Sequence, residues 1–301
     1  MPAGARLAVG RQSAASPFLL RTLTPAMDYI DAIILGIVEG LTEFLPVSST
    51  GHLTIAEKAL GLKLDDPAIT AYTAVIQMGA ILAVIVYFRT DIWRIAAAWF
   101  KGLFRPEYRG HFDHRFGWYI IVGSIPIGIV GFAGKDVISG SLRSLWWVGA
   151  ALVVWSAVMV YAERTGTQKR GERDLTMADS IFVGLLQCIA LVPGVSRSGA
   201  TISAGLVRGL DRVTATRLSF FLSIPALTAA GLYELKDVVN SHIGIGPTVV
   251  GTLVSFVVAY AAVAWLLKFV AGHSITWFVP YRLVLGLGLL GLLATGVISA
   301  T

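Results

Sequence analysis

Six apolar stretches dominate this chain, each close to the roughly 20 residues that a helix needs to cross a bilayer core. They show neither the alternation nor the short segments of a membrane β-barrel, so each is interpreted as a helix. The chain is therefore predicted to be an all-α polytopic membrane protein with six transmembrane helices. The stretches are residues 68–88, 116–134, 145–161, 214–232, 247–269 and 278–299.

The composition excludes several other classes of protein. Of the 301 residues, 55% are hydrophobic and 14% are charged, whereas a soluble protein carries about 25% charged residues. The formal net charge is +6, but the basic residues form short clusters between apolar runs, as in membrane proteins, so nucleic acid is not an expected partner. The single cysteine, Cys188, excludes an intramolecular disulfide.

Residues 1–26 differ from the rest of the chain. They contain three arginines, no acidic residue and only one short apolar patch. That patch is too short and too broken for a signal peptide. We expect a disordered N-terminal extension, a natural start at Met27, and a single membrane domain at 27–301.

Two further apolar stretches, residues 30–61 and 177–210, are too polar at their centres to be ordinary spans. Each has a helical pattern, then a proline (Pro46 or Pro193), serine and glycine, and a second short helical pattern. Because proline ends a helix just before it, each stretch predicts a helix–loop–helix hairpin. Irregular backbone survives at membrane depth only where protein or a watery cavity surrounds it, so both hairpins are predicted to be re-entrant.

The two hairpins resemble each other in sequence. A shift of 147 or 148 residues aligns four pairs of residues, namely Pro46 with Pro193, Ser49 with Ser196, Gly51 with Gly199, and Glu39 with Gln187. Each hairpin is also followed by a long apolar span. We therefore predict an internal repeat with halves at 27–162 and 177–301.

The distribution of charge predicts how the repeat is oriented. Lys and Arg are concentrated in 89–115, 164–173 and 208–217, which places these segments in the cytoplasm by the positive-inside rule. Residues 135–143 and 234–246 then lie outside. Six spans fit this assignment only if the first hairpin enters and leaves from outside and the second from inside. The repeat is then inverted, and its two loops meet near the membrane midplane.

Two carboxylates lie in the first hairpin. Glu39 and Glu43 are four residues apart and share one helical face. A carboxylate at membrane depth costs roughly 2.5–3.5 kcal/mol. We therefore expect a compensating partner for both acids, unless this end of the helix is shallow and hydrated.

Hydroxyl groups follow the carboxylates. Ser48, Ser49 and Thr50 precede the returning helix, where such residues are also common as N-caps. His52 follows Ser49 by three residues, so the two approach each other if the helix begins near Ser49. A serine hydroxyl beside an imidazole suits nucleophilic attack or general acid–base chemistry.

The second hairpin supplies the opposite charge. Arg197 lies in an otherwise neutral stretch at 181–207, beside Ser196, Ser198 and Thr201. Arginine presents a fixed fork of donors that fits phosphate, and a helix that starts near Ser198 points its free N–H groups at the same place. The two interpretations are a phosphate site and an arginine that only neutralises a glutamate. Gln77 in the 68–88 span either faces this site or makes an ordinary interhelical hydrogen bond.

At these motifs the chain resembles the undecaprenyl-diphosphatase family of bacterial inner membranes, also known as bacitracin-resistance proteins. The matching runs are EGLTEFLPVSSTGH at 39–52, PGVSRSGAT at 193–201 and VIQMG at 75–79. The resemblance extends in span order from about Met27 to the C-terminus. The extension at 1–26 departs from the family pattern.

The resemblance implies hydrolysis of undecaprenyl diphosphate to undecaprenyl phosphate and inorganic phosphate, which recycles the carrier lipid for cell-wall synthesis and confers resistance to bacitracin. It also implies a divalent cation, Mg²⁺ or Ca²⁺, and an active site that opens to the periplasm. The bilayer and a polyprenyl diphosphate lipid are the expected partners, and a homodimer is one oligomeric state that the sequence leaves open.

Each candidate residue receives an expected role. Arg197 clamps the terminal phosphate, and Ser49 attacks it or orients water, while a nucleophilic His52 stays an alternative. Expected catalytic residues are Glu43, Ser49, His52 and Arg197; expected phosphate ligands are Ser48, Thr50, Ser196, Arg197, Ser198 and Thr201; expected metal ligands are Glu39 and Glu43, with Gln77 supporting them. The alternative function is a lipid or anion transporter or flippase, because inverted re-entrant repeats also build transporters.

Overall fold

The structure is a computed structural model that describes residues 27–239 and 241–300. The predicted N-terminal extension at 1–26 lies outside the described residues. Within the described part of the chain, all long regular elements are helical, and one isolated bridge pairs Arg170 with Leu210. The helices are α1 (Tyr29–Thr42), α2 (Ser49–Ala59), α3 (Pro67–Tyr87), α4 (Arg89–Phe104), α5 (Phe112–Ala133), α6 (Lys135–Ser139), α7 (Leu145–Thr165), α8 (Met177–Gln187), α9 (Arg197–Val207), α10 (Arg212–Val239), α11 (Ile245–Gly272) and α12 (Val279–Ala294).

Six helical segments among these residues are long and apolar enough to cross a membrane, which confirms the six predicted spans. They are Pro67–Tyr87, Phe112–Ala133, Leu145–Thr165, Arg212–Val239, Ile245–Gly272 and Ile275–Ala294. Several helices extend beyond the apolar stretches because their polar ends are also helical. The protein is thus an all-α, multi-pass membrane protein.

The charged segments meet at two opposite ends of the helical bundle. Arg217 at the start of α10 donates to Glu172 at 2.7 Å and to Asp91 at 3.0 Å, which joins the three basic segments that the sequence places in the cytoplasm. Lys135 and Glu234 form an ion pair at 3.1 Å, which joins the two segments predicted to lie outside. These contacts support the predicted grouping of the loops into two sets.

The second hairpin starts and ends at the basic end of the bundle. Asp179, in the first turn of α8, accepts hydrogen bonds from Arg170 at 3.1 Å and from Arg208 at 2.8 Å. Arg208 directly follows α9. Helices α8 and α9 have 11 residues each, about half the length that a span requires.

The first hairpin starts and ends at the opposite end. Near the end of α2, the buried Glu57 pairs with Arg143 at 2.9 Å, and Tyr29 at the start of α1 packs against Gly246. Helices α1 and α2 have 14 and 11 residues. A re-entrant path in the membrane stays a prediction for both hairpins, and these contacts favour it.

Two equivalent glycines show that the halves pack alike. Gly36 of α1 lies against the backbone carbonyl of Gly251 in α11, and Gly184 of α8 lies against that of Gly123 in α5. The two positions are 148 residues apart, which is one of the shifts found in the sequence. This similarity supports the predicted inverted repeat. The bounds of its halves, 27–162 and 177–301, stay a prediction.

The close packing of α8 on α5 leads to a test. A Cβ atom at Gly184 would clash with the carbonyl of Gly123, whereas a Cβ atom at Gly288 of α12 would meet open space. We expect Gly184→Ala to lower the free energy of unfolding by about 1–3 kcal/mol, and Gly288→Ala to leave it unchanged or raise it slightly, since alanine is the better helix former. Thermal unfolding of the purified variants in detergent measures both, and equal melting temperatures would contradict the packing.

Candidate active site

The loops of the two hairpins have the same backbone conformation where their returning helices begin. Helices α2 and α9 are capped by Ser48 and Ser196, both of which have φ of 78°. A positive φ is uncommon for a residue other than glycine. Each cap hydroxyl accepts a hydrogen bond from a glycine amide three residues later, at 3.3 Å from Gly51 and 3.1 Å from Gly199.

This equivalence corrects one pair in the sequence alignment. The sequence matched Ser49 with Ser196, using the shift of 147 that aligns the prolines. The cap geometry pairs Ser48 with Ser196, so Ser49 is equivalent to Arg197. Both loops contain a proline, but the backbone turn that starts each helix is the feature that sets their alignment. The same position thus carries a hydroxyl in one half and a guanidinium in the other.

The two loops are bonded to each other, as the sequence predicted. The Ser48 hydroxyl accepts a hydrogen bond from the amide of Gly194 at 3.1 Å. In the other direction, the Ser198 hydroxyl donates to the carbonyl of Leu45 at 2.9 Å. All of these groups are buried or nearly so. Each loop therefore provides a hydrogen-bond partner for a backbone group of the other, and the two loops pack together as one structure.

Glu43 is the centre of the polar cluster between the loops. Its Oε1 accepts a hydrogen bond from Nη2 of Arg197 at 2.6 Å. Its Oε2 accepts from the amide of Gln77 at 3.0 Å and from the hydroxyl of Ser49. Four predicted site residues from α2, α3, α9 and the end of α1 are thus in direct contact, and the carboxylate is only 4% exposed.

Several buried polar atoms of this cluster have no hydrogen-bond partner among the described residues. They are Nε and Nη1 of Arg197 and both carboxylate oxygens of Glu39. The ion pair with Glu43 uses only Nη2 of Arg197. Buried charged groups without partners are costly, so this cluster offers donors for an anion and acceptors for a cation.

His52 lies in the first turn of α2, and neither of its ring nitrogens is hydrogen-bonded to the Ser49 hydroxyl among the described hydrogen bonds. Its Nδ1 lies 2.7 Å from the carbonyl of Ser48, and its Nε2 lies 2.6 Å from the hydroxyl of Tyr281. Among the described hydrogen bonds, the Ser49 hydroxyl donates to Glu43. The group placed to accept the serine proton is therefore Glu43, and an acid–base role for His52 stays a prediction.

The other predicted phosphate ligands make hydrogen bonds within the protein. The Thr201 hydroxyl donates to the carbonyl of Arg197 at 2.8 Å and is also hydrogen-bonded to the Ser219 hydroxyl at 2.6 Å, and Ser196 pairs with Ser198 at 3.1 Å. Thr50 is exposed in the first turn of α2. Together with Ser48, these residues shape the loops. Direct phosphate binding by their hydroxyls stays a prediction.

Arg282 of α12 is a buried charged residue at the two loops that the sequence reading missed. Its side chain is fully buried, and it donates to the carbonyl of Pro46 at 3.0 Å in the first loop. In the second loop it donates to the carbonyls of Gly194 at 3.0 Å and Val195 at 3.2 Å. One guanidinium thus fixes both loops. A charged residue inside an apolar span was the available signal, since such residues face a protein interior and are functional.

The chain is also similar in sequence to known proteins. The family model described as Bacitracin resistance protein BacA matches residues 32–288. Undecaprenyl-diphosphatase 3 from Frankia casuarinae is 59% identical, covering 91% of this chain and all of the relative. The Undecaprenyl-diphosphatase of Acidothermus cellulolyticus is 58% identical over 91% of this chain, and Undecaprenyl-diphosphatase 2 of Corynebacterium jeikeium is 48% identical over 92%, each matched over its full length.

The bonds of Arg282 predict a specific effect of a conservative substitution. Arg282→Lys keeps a positive charge but loses the planar fork that reaches carbonyls in both loops. We expect a loss of about 1–3 kcal/mol for each carbonyl left without a donor, seen as a lower melting temperature in detergent. Arg115→Lys is the matched control, because Arg115 is exposed. Equal melting temperatures for the two variants would show that Arg282 does not hold the loops.

Proposed function

This chain belongs to the bacitracin resistance protein BacA family, and we propose that it acts as an undecaprenyl-diphosphatase at the cluster around Glu43 and Arg197. The reaction is hydrolysis of undecaprenyl diphosphate to undecaprenyl phosphate and inorganic phosphate. In this proposal the lipid product returns to cell-wall synthesis, and removal of the diphosphate confers bacitracin resistance.

The observation that carries the choice of site is the unpartnered side of Arg197. Two of its nitrogens, Nε and Nη1, are buried and make no hydrogen bond among the described residues. Arg197 is also the first residue of α9, where free backbone N–H groups attract an anion. A guanidinium fork binds phosphate at two oxygens and stabilises the charge that spreads over them during phosphoryl transfer.

Glu39 and Glu43 fit the divalent cation that the family implies. Both oxygens of Glu39 are buried without a hydrogen-bond partner, and Glu43 lies one turn away. The described residues contain no group of three or more His, Cys, Asp and Glu side chains that could by themselves hold a metal ion. Mg²⁺ is commonly held by one or two carboxylates together with substrate phosphates. Such a cation, Mg²⁺ or Ca²⁺, would offset the negative charge of the diphosphate.

In the mechanism that we propose, Glu43 accepts the proton of Ser49. The hydroxyl already donates to this carboxylate, so its oxygen is activated to attack the terminal phosphorus. The bond from phosphorus to the bridging oxygen breaks, undecaprenyl phosphate leaves, and water then releases phosphate from the serine. In the alternative, Ser49 orients a water molecule that attacks directly, and a nucleophilic His52 is the third possibility.

The charge distribution supports an orientation in the membrane. We propose the bacterial inner membrane, with the basic end of the bundle in the cytoplasm. The first hairpin, which carries Glu43 and Ser49, starts and ends at the opposite end, so the site would open to the periplasm. All the proposed site residues belong to one chain, and a homodimer is one arrangement compatible with this.

Arg197→Lys tests the proposed function. Lysine keeps the charge but loses the fork, so we expect kcat/KM for phosphate release from undecaprenyl diphosphate to fall about 10²–10³-fold. The assay uses purified protein in detergent with Mg²⁺. Arg105→Lys, at an exposed position, should match the wild type. No phosphate release by the wild type would refute the activity, and near-normal release by Arg197→Lys would refute the clamp.

Removal of the cation is a second test. We expect a chelator to abolish phosphate release and added Mg²⁺ or Ca²⁺ to restore it. Because Glu39 offers two unpartnered oxygens, Glu39→Gln should raise the Mg²⁺ concentration needed for half-maximal activity about 10-fold or more. An unchanged Mg²⁺ requirement would show that Glu39 is not a metal ligand. Full activity in the presence of chelator would show that the reaction needs no divalent cation.

A further inference from the structure

The hydrogen bonds of His52 determine which ring nitrogen is free to exchange a proton. A backbone carbonyl can only accept, so Nδ1, at 2.7 Å from the carbonyl of Ser48, carries a proton. In the neutral ring Nε2 is then the acceptor. Tyr281 is the group at that nitrogen, with its hydroxyl at 2.6 Å. Any proton that reaches or leaves His52 therefore passes through Nε2, beside the phenol.

Tyr281 is well placed to hold the imidazole in one orientation. The two rings are nearly parallel, with an interplanar angle of 14° and 5.6 Å between their centroids. Tyr281 directly precedes Arg282, whose guanidinium bonds both loops. The backbone that carries the phenol is thus fixed relative to the loop that carries His52. About half of the tyrosine is exposed, so the pair lies at the edge of the site.

We propose that Tyr281 is a positioning residue for His52 in the phosphatase reaction. The carbonyl of Ser48 holds the tautomer with a proton on Nδ1, and the Tyr281 hydroxyl donates to Nε2 and fixes the direction of this nitrogen, the one able to accept a proton. This inference rests on the proposed function and assigns no contact between Tyr281 and the substrate. A place at the membrane interface accounts for the ring of Tyr281 but not for the hydrogen bond of its hydroxyl to His52.

The test separates positioning from a structural role by kinetics. Tyr281→Phe keeps the ring and removes the hydroxyl, so we expect kcat for phosphate release to fall roughly tenfold, the equivalent of one hydrogen bond, with KM within about twofold of the wild type. Tyr161→Phe is the matched control, since that hydroxyl is exposed near the end of α7, and it should leave both constants unchanged.

A double-mutant cycle ties the effect to the imidazole. If Tyr281 acts through His52, Tyr281→Phe causes no further loss of kcat in a His52→Ala background. A tenfold loss in both backgrounds, an unchanged kcat for Tyr281→Phe, or an unchanged kcat for His52→Ala would each overturn the proposal. Phosphate release by the wild type is measured in the same series, and its absence would instead refute the phosphatase function.

Nitrogen NMR gives a readout that does not depend on activity. In protein labelled with ¹⁵N-histidine, the signal lost in His52→Ala identifies this ring. We expect a protonated Nδ1 and an unprotonated Nε2 in the wild type at neutral pH, and an altered Nε2 chemical shift in Tyr281→Phe, with the proton still on Nδ1. The opposite tautomer in the wild type, or a spectrum unaffected by Tyr281→Phe, would overturn the proposal even where His52→Ala is too weak to assay.

Discussion

The ion pair between Glu43 and Arg197 brings two charges into the interior of a membrane protein, with side chains only 3% and 9% exposed. Removing such charges from water is costly, and their attraction offsets that cost only when the geometry is good and further hydrogen bonds are made. Gln77 and Ser49 supply those bonds to the carboxylate. Because the partners come from different loops, the pair can form only if both loops are held together.

The rest of the site follows from that requirement. Ser48 and Ser198 bond each loop to the other, and Arg282 bonds carbonyls of both from α12. These groups leave the Nε and Nη1 donors of Arg197 and the oxygens of Glu39 unused within the described protein. The same arrangement that fixes the ion pair therefore provides binding groups for a phosphate and a cation.

Much of the architecture could be predicted from the sequence, because long apolar runs and clusters of basic residues act over whole segments. The six spans are confirmed, and Arg197 lies against Glu43, as the meeting of the two loops predicts. Of the two shifts that the sequence allowed, 147 and 148, the serine caps support 148, so the pair of Ser49 with Ser196 was off by one residue because it was anchored on proline. Arg282 and Tyr281 were missed because both lie inside an apolar span. The sequence does not show in which direction such a side chain points, and therefore does not show which groups it contacts.

Binding of a non-hydrolysable lipid diphosphate tests the central claim most directly, because it measures the phosphate site without the chemistry. The probe is undecaprenyl methylenediphosphonate with Mg²⁺, and the measurement is the melting temperature of the wild type and of Arg197→Met. At 100 times its Kd, the ligand should stabilise the wild type by about 2.7 kcal/mol and leave Arg197→Met nearly unchanged. Equal stabilisation of both proteins would contradict the account.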